Sequence, residues 1–400
     1  MAVSERAHQV HRESIVVDTS AALGFLHNRD FATGRTRGEY DLNRATLGGV
    51  TAVVLEPGVE EIFVSDPTQG LSAPPPKGVQ VMEPVFKGPD MVQRIIWELD
   101  ALLETIDDNP STMTLALTAE DVRTAKSQGK FAAIMGIHAG WINSELAVLR
   151  SYHRLGLRAM ALCHGATMGW ASSSRDLSAP YDGLTDFGRE VVAECNRLGV
   201  IVDVSHASDQ TLWDAIEASD APVLASHSGC RALVDAQRNL TDEQMEAVAG
   251  TNGVVSITAV EGFVDADHSR HDSRNEYMGR ILAAHGAMAA DFPDSFELME
   301  AIRDPGVRSS YLDVSPALEI PPTPLGKMID HIDHAMKVVG PDHVGIGTDF
   351  DGVVRTLQDF EEPSKFPNVT AALLDRGYPE EDVRKVLGGN FLRLFEAVSG

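Results

Sequence analysis

The chain has 400 residues, 43% of them hydrophobic, which is enough for a large core in one big α/β domain or two ordinary ones. Its 59 acidic side chains against 33 basic ones leave a formal charge of −26, so nucleic acid and anionic membrane surfaces are not expected partners at physiological salt. Cys163, Cys195 and Cys230 are odd in number and lack CxxC spacing, which argues against a disulfide framework or a thiolate metal site. With no apolar run of signal-peptide or membrane-spanning length, a cytoplasmic protein is expected.

In chain order, short runs rich in Val and Ile alternate with helical patterns, the sign of a parallel sheet with crossover helices. IVVD (15–18) and TAVVLE (51–56) open the series. Residues 57–90, containing APPPKG, read as a long loop, and MVQRIIWELDALLET (91–105) as a helix. The strands FAAIMGIH (131–138) and LRAMALCH (157–164) precede a helix over 185–198. VIVDVSH (200–206), a helix over 208–219, and APVLASHS (221–228) come next. Thr241 and Gln244 have capping-box spacing at the start of a helix over 241–250, and GVVSITAV (253–260) follows. Residues 261–324 form a long insertion with a helical middle. A helix over 325–339 then leads to HVGIGTDFDG (343–352). Eight strands close a barrel, so the expected fold is an α/β (β/α)8 TIM barrel. It occupies residues 1–400 as a single domain, with 261–324 as a lid on the catalytic face.

In such a barrel the active site is built at the carboxyl ends of the strands, and here those ends carry His138, His164, His206, His227 and Asp349. Neutral imidazoles are common zinc ligands, and a catalytic zinc needs about three protein ligands and an open position. His206 and His227, on adjacent strands, are expected to point at one centre, with His138 as the third nitrogen. Asp349 would be the carboxylate that takes and returns a proton. Each residue also has a plainer reading. His138 could pack under Trp141, and Asp349 could cap a turn with Asp351 and Gly352. His164 could be a substrate contact, an oxyanion donor or a ligand. Arg238, before a capped helix, could grip a carboxylate through two parallel hydrogen bonds or pair with local acids. His331 and His334 stand i, i+3 on a helix, a spacing better explained by a solvated face, and HSRHD (268–272) also reads as surface.

These residues resemble the membrane (renal) dipeptidases, zinc enzymes of the amidohydrolase superfamily with a (β/α)8 fold. The likeness runs from VVD near residue 16 to GGNFLRLF (388–395) and is densest in GLTDFGREVVAECNRLGVIVDVSHASDQTLWD, PVLASHSGCRAL, QRNLTDEQ and VGIGTDFDG. The resemblance implies that His206 and His227 hold metal, that His164 assists the scissile carbonyl, that Arg238 binds the substrate's terminal carboxylate, and that Asp349 is the acid/base. Two places depart from the pattern. The family's HxD pair after the first strand is replaced by Ser20 and Ala22, neither able to ligate zinc, and its bridging Glu after the third strand is replaced by His138.

Both departures remove the reasons for a second metal and leave His138, His206 and His227 as a set suited to one zinc per chain. The expected function is therefore a metal-dependent hydrolase acting on a dipeptide-like or other small amide that carries a carboxylate. The alternatives are a lyase or isomerase on the same barrel, with altered or absent metal, and an inactive binding homologue. The resemblance also suggests a homodimer.

Overall fold

The structure, a computed structural model, describes residues 3–22, 31–34, 39–56, 91–165, 167–176, 181–267, 321–353 and 356–400. The expected loop over 57–90, the helical middle of the 261–324 insertion and HSRHD lie outside the described residues.

All eight expected strands are present, and a ninth joins them. In chain order they are β1 (Val17–Ala22), β2 (Ala52–Glu56), β3 (Met113–Leu115), β4 (Phe131–Ile137), β5 (Leu157–Ala161), β6 (Ile201–Asp203), β7 (Leu224–Ser228), β8 (Val254–Ile257) and β9 (Val344–Ile346). The sheet runs β1-β2-β4-β5-β6-β7-β8-β9, every pairing is parallel, and β3 flanks β4. Beyond the end of β9 the chain returns to β1. Asp349 N–H donates to the Ser20 carbonyl and Ala22 N–H to the Phe350 carbonyl, both at 2.9 Å, which closes the barrel mouth. Gly347 is required there, because a Cβ would lie 1.8 Å from the Ser226 carbonyl oxygen.

Several sequence runs overshoot the strands they contain. LRAMALCH is strand only to Ala161, VIVDVSH only to Asp203, and HVGIGTDFDG only over Val344–Ile346. His164, His206 and Asp349 therefore sit on the loops just past the strand ends. His206 and Asp349 are held at φ +65° and +60°, left-handed backbone that costs a non-glycine residue about 1–3 kcal/mol.

The helices Met91–Asp108, Asp186–Leu198, Asp209–Ala218, Asp242–Gly250 and Leu325–Val339 match expectation, and Thr241 with Gln244 forms the expected capping box. Others were not legible from periodicity. In Ala119–Gln128 the buried face is only Ala119, Val122 and Ala125, too thin a stripe to register, although Thr118 and Asp121 build a second capping box. Alternate strand residues serve two cores, as a period of two requires. Val53, Leu55 and Met135 pack against helical residues such as Ile95 and Leu99. Val17, Val54, Ile134 and Ile201 pack with Phe391 and Phe395 of the C-terminal helix Asn390–Ser399, which stoppers the end of the barrel where the strands begin.

Two histidines are structural. His11 bridges Thr370 Oγ1 and the Gly48 carbonyl, both at 2.7 Å, and so ties the helix Glu5–Glu13 to the approach of β2 and the helix Phe366–Asp375. His331 corrects the expectation of a solvated face: it is 1% exposed, and its Nδ1 accepts the Cys230 N–H at 2.8 Å. Its helix packs against β8 and β9, which turns that face inward. His334 is part-exposed and 2.7 Å from Asp242. The three cysteines are buried thiols outside any disulfide, and no helix among the described residues is long and apolar enough to cross a membrane.

Burial holds the pKa of His11 and of His331 down to about 4 from the usual 6.5. The unfolded chain therefore binds more protons than the folded one between those values, and each neutral ring contributes stability above pH 6.5 that is lost as pH falls towards 4. The loss amounts to about 3 kcal/mol per site. Chemical denaturation should show His11→Gln destabilised relative to the wild type at pH 7.5, with the gap narrowing steadily down to pH 4. A gap independent of pH would mean that the ring is not buried in its neutral form.

Candidate metal centre

The barrel mouth collects the expected residues at the ends of separate strands. Apolar strands deliver them there because alternate positions must pack in the core, so the polar residue at each strand end is carried to the rim. The donor atoms of His138, His227 and Asp349 all lie within 4.8 Å of one another. His206 joins through His227, their Nε2 atoms standing 2.9 Å apart. His164 stacks near this group, its ring centroid 4.1 Å from that of His206 and 5.2 Å from that of His138.

His227 is oriented by a chain of hydrogen bonds. Asp203 Oδ1 accepts from the Ser205 and Ser226 N–H groups, both at 2.9 Å, and its Oδ2 accepts from Ser226 Oγ at 2.5 Å. With its proton given to Asp203, Ser226 Oγ can only accept from His227 Nδ1, 2.7 Å away. This network assigns the proton to Nδ1 and leaves Nε2 as the lone-pair nitrogen facing His206 Nε2 at the centre of the site, the tautomer a metal ligand needs. Burial, reinforced by the Arg238 charge, pushes the pKa of His206 and His227 well below the ordinary value, so both rings are neutral. His206 Nδ1 is buried with no hydrogen-bond partner.

His138 differs. Its Nε2 lies 3.0 Å from Glu56 Oε2, an ion-pair distance, although the ring N–H is not aligned on that oxygen as a hydrogen bond. Burial works against its charge, but Glu56, Asp349 and Asp203 outweigh burial and raise its pKa to about 9. Without a cation the ring is therefore protonated, and a metal ion must displace that proton. Burial likewise raises the carboxyl of Asp349, against the pull of His138, His164 and Arg238.

Arg238 is 5% exposed. Its Nη1 donates to Ser228 Oγ at 2.9 Å, while Nε and Nη2 are buried without partners. Burial, and then the charge of Arg175, lower its pKa to about 10, which leaves it cationic at neutral pH. Phe263 lies under the guanidinium, 5.7 Å from Cζ. That ring belongs to the start of the 261–324 insertion, whose two described ends are joined by Thr323 N–H donating to Glu261 Oε1 at 2.7 Å.

The donor set fits a divalent cation: neutral imidazoles whose Nε2 atoms converge, an orphaned buried nitrogen and carboxylates in one pocket. Two nitrogens bound to one tetrahedral zinc stand about 3.3 Å apart, close to the spacing of the His206 and His227 Nε2 atoms. Sequence reasoning missed Glu56, Asp203, Ser226 and the part played by Ser20. Glu56 and Asp203 each carried a signal, an acid closing an apolar strand, in TAVVLE and VIVD. Ser20 and Ala22 are not ligands, yet neither is idle: Ser20 Oγ donates to Glu56 at 2.6 Å, and both residues take part in closing the barrel.

Comparison with known proteins identifies the family and the fold. The family described as membrane dipeptidase (peptidase family M19) matches residues 4–400. The dipeptidase tcpJ of Claviceps purpurea (strain 20.1) is 30% identical over 318 residues, which is 79% of this chain and 60% of that protein, so the chain spans about three fifths of the relative's length. Among solved structures, the probable dipeptidase PvdM from Pseudomonas aeruginosa superposes with a TM-score of 0.75 at 26% identity, over 99% of this chain and 98% of that one. The dipeptidase AC, a metallo peptidase of family M19, gives 0.72 at 25% identity, over 97% and 100%.

Ser226→Ala should leave the fold intact while releasing His227 Nδ1. Zinc affinity, read by chelator competition, should fall about tenfold to a hundredfold. Unchanged affinity would show that the hydroxyl does not set the tautomer.

Proposed function

For a chain that belongs to the membrane dipeptidase family, we propose a metal-dependent hydrolase that cleaves a dipeptide-like or other small amide bearing a free carboxylate. In this reading one zinc per chain is held by His138, His206 and His227, in a cytoplasmic protein that forms a homodimer. The observation that carries it is Arg238: a buried guanidinium with two unpaired N–H donors beside a cluster of metal-competent imidazoles. Leaving such donors unpaired in a dry pocket is costly, and a substrate carboxylate satisfies them in the two-pronged geometry that guanidinium favours.

When bound, zinc supplies Lewis acidity towards the scissile carbonyl and a water of lowered pKa. The residues do the rest. Arg238, steadied by Ser228, anchors the carboxylate end of the substrate. In this reading His164, within stacking distance of His206 and His138, hydrogen-bonds the carbonyl oxygen as negative charge builds on it. Asp349 takes the proton of the attacking water and returns it to the departing amine. A carboxyl raised by burial suits that exchange, since its proton affinity lies nearer neutrality than that of a free carboxylate. The backbone strain at Asp349 and the Ser20 contact fix the carboxylate in one place, which limits the reorganisation each proton transfer needs.

Two measurements test this reading. Elemental analysis should return about one zinc per chain, and a content near two would defeat the single-metal assignment. Arg238→Met should lower kcat/KM for dipeptides by about a hundredfold, mostly through KM, while amides blocked at the carboxyl terminus change little. An equal loss on both substrate sets would remove Arg238 from carboxylate recognition.

A further inference from the structure

Resting on the metal-dependent reading above, we infer that Glu56 is itself a ligand of the divalent cation and forms, with His138, an oxygen–nitrogen donor pair contributed by β2 and β4.

Glu56 closes β2 and is 1% exposed, yet its Oε2 lies 2.6 Å from Ser20 Oγ and 3.0 Å from His138 Nε2. The second contact is too poorly aligned to be a hydrogen bond, and His138 Nε2 counts among the buried polar atoms without a partner. Without a cation the pair stands at ion-pair distance with no aligned hydrogen bond, and 3.0 Å is also the spacing of neighbouring ligands on one ion. The His206 and His227 Nε2 atoms repeat that spacing at 2.9 Å across the pocket. The seat for Glu56 is built into the neighbouring strand: β4 has a glycine at 136, where a Cβ would come within 2.9 Å of Glu56 Cγ and 2.8 Å of Val54 Cγ1. Charge gives the same answer. Neutral imidazoles leave the charge of a buried dication to the carboxylates around it; Asp349 is one, and Glu56 in direct contact would offset as much again.

The rival arrangement is a closed ion pair in which Glu56 keeps His138 away from the metal, and it predicts the opposite sign. Cobalt(II) and zinc are titrated into the full-length wild type and Glu56→Gln, following the visible ligand-field spectrum of cobalt and the zinc dissociation constant by chelator competition. A Glu56 ligand requires zinc binding weakened more than about tenfold together with a changed cobalt spectrum. Unchanged or tighter zinc binding overturns the inference. So does weaker binding with an unaltered spectrum, because the carboxylate would then act only through its field. If Glu56→Gln does not fold, Glu56→Asp keeps the charge, shortens the reach and must show the same two changes. Dipeptide hydrolysis in the wild type is scored separately. Its absence alongside both metal effects removes the substrate assignment and leaves Glu56 as a ligand, whereas hydrolysis without those effects does the reverse.

Discussion

Among the described residues, three carboxylates are buried on the barrel strands, and each is clamped by a hydroxyl from the neighbouring strand or the loop that extends it. Asp18 takes the Thr348 hydroxyl at 2.7 Å, Glu56 takes Ser20 at 2.6 Å, and Asp203 takes Ser226 at 2.5 Å. Burying an acid without such partners costs several kcal/mol, so these clamps make a carboxylate-lined mouth compatible with a closed barrel. They also lock register. The Asp18 clamp, with the Thr348 N–H on the same carboxylate at 2.9 Å, holds the chain beyond β9 against β1, and Asp349 follows one residue later. The Asp203 clamp reaches His227 Nδ1, the nitrogen turned away from the metal site, through one serine.

The clamps reduce the cost of burial without removing the charge, and the remaining field shapes everything nearby. Burial still raises Asp18 to about 7, and the acids around His138 raise its ring to about 9 although burial pulls the other way. Arg238 is the counterweight on the opposite wall, and its charge helps to keep His206 and His227 neutral. The mouth is thus polarised. One side, Glu56, Asp349 and His138, attracts a cation, and the other, Arg238, attracts the anionic end of a substrate. A small molecule lying between them is oriented before any bond changes.

Strain sits at the same place. His206 and Asp349 both adopt left-handed backbone, and both are fixed from two sides. The His206 carbonyl accepts the Ser174 N–H at 2.8 Å and the Cys163 thiol at 3.7 Å, and Asp349 donates to Ser20 and accepts from the Gly352 N–H. The well-packed cores behind them, including the stopper formed by Phe391 and Phe395, supply the stability that such conformations draw down.

The sequence by itself determined the architecture. Eight apolar runs at crossover spacing, a capping box at Thr241 and histidines at successive strand ends are local patterns, and local patterns survive without coordinates. It also supplied His138, His206, His227, Asp349, His164 and Arg238, because each ends a recognisable strand or stands before a recognisable helix. Only the tertiary structure decided what lies beside them. Ser20 and Glu56 are 36 residues apart, Asp18 and Thr348 are 330 apart, and His331 meets Cys230 across 101. Those meetings depend on the stagger of neighbouring strands and on which face of a helix turns to the barrel. Both are fixed by closing the sheet on itself, a condition on the whole chain that no short window of sequence contains. For that reason the first strand's end reads as chemically vacant in sequence, yet in the closed barrel it holds a buried carboxylate and seals the mouth.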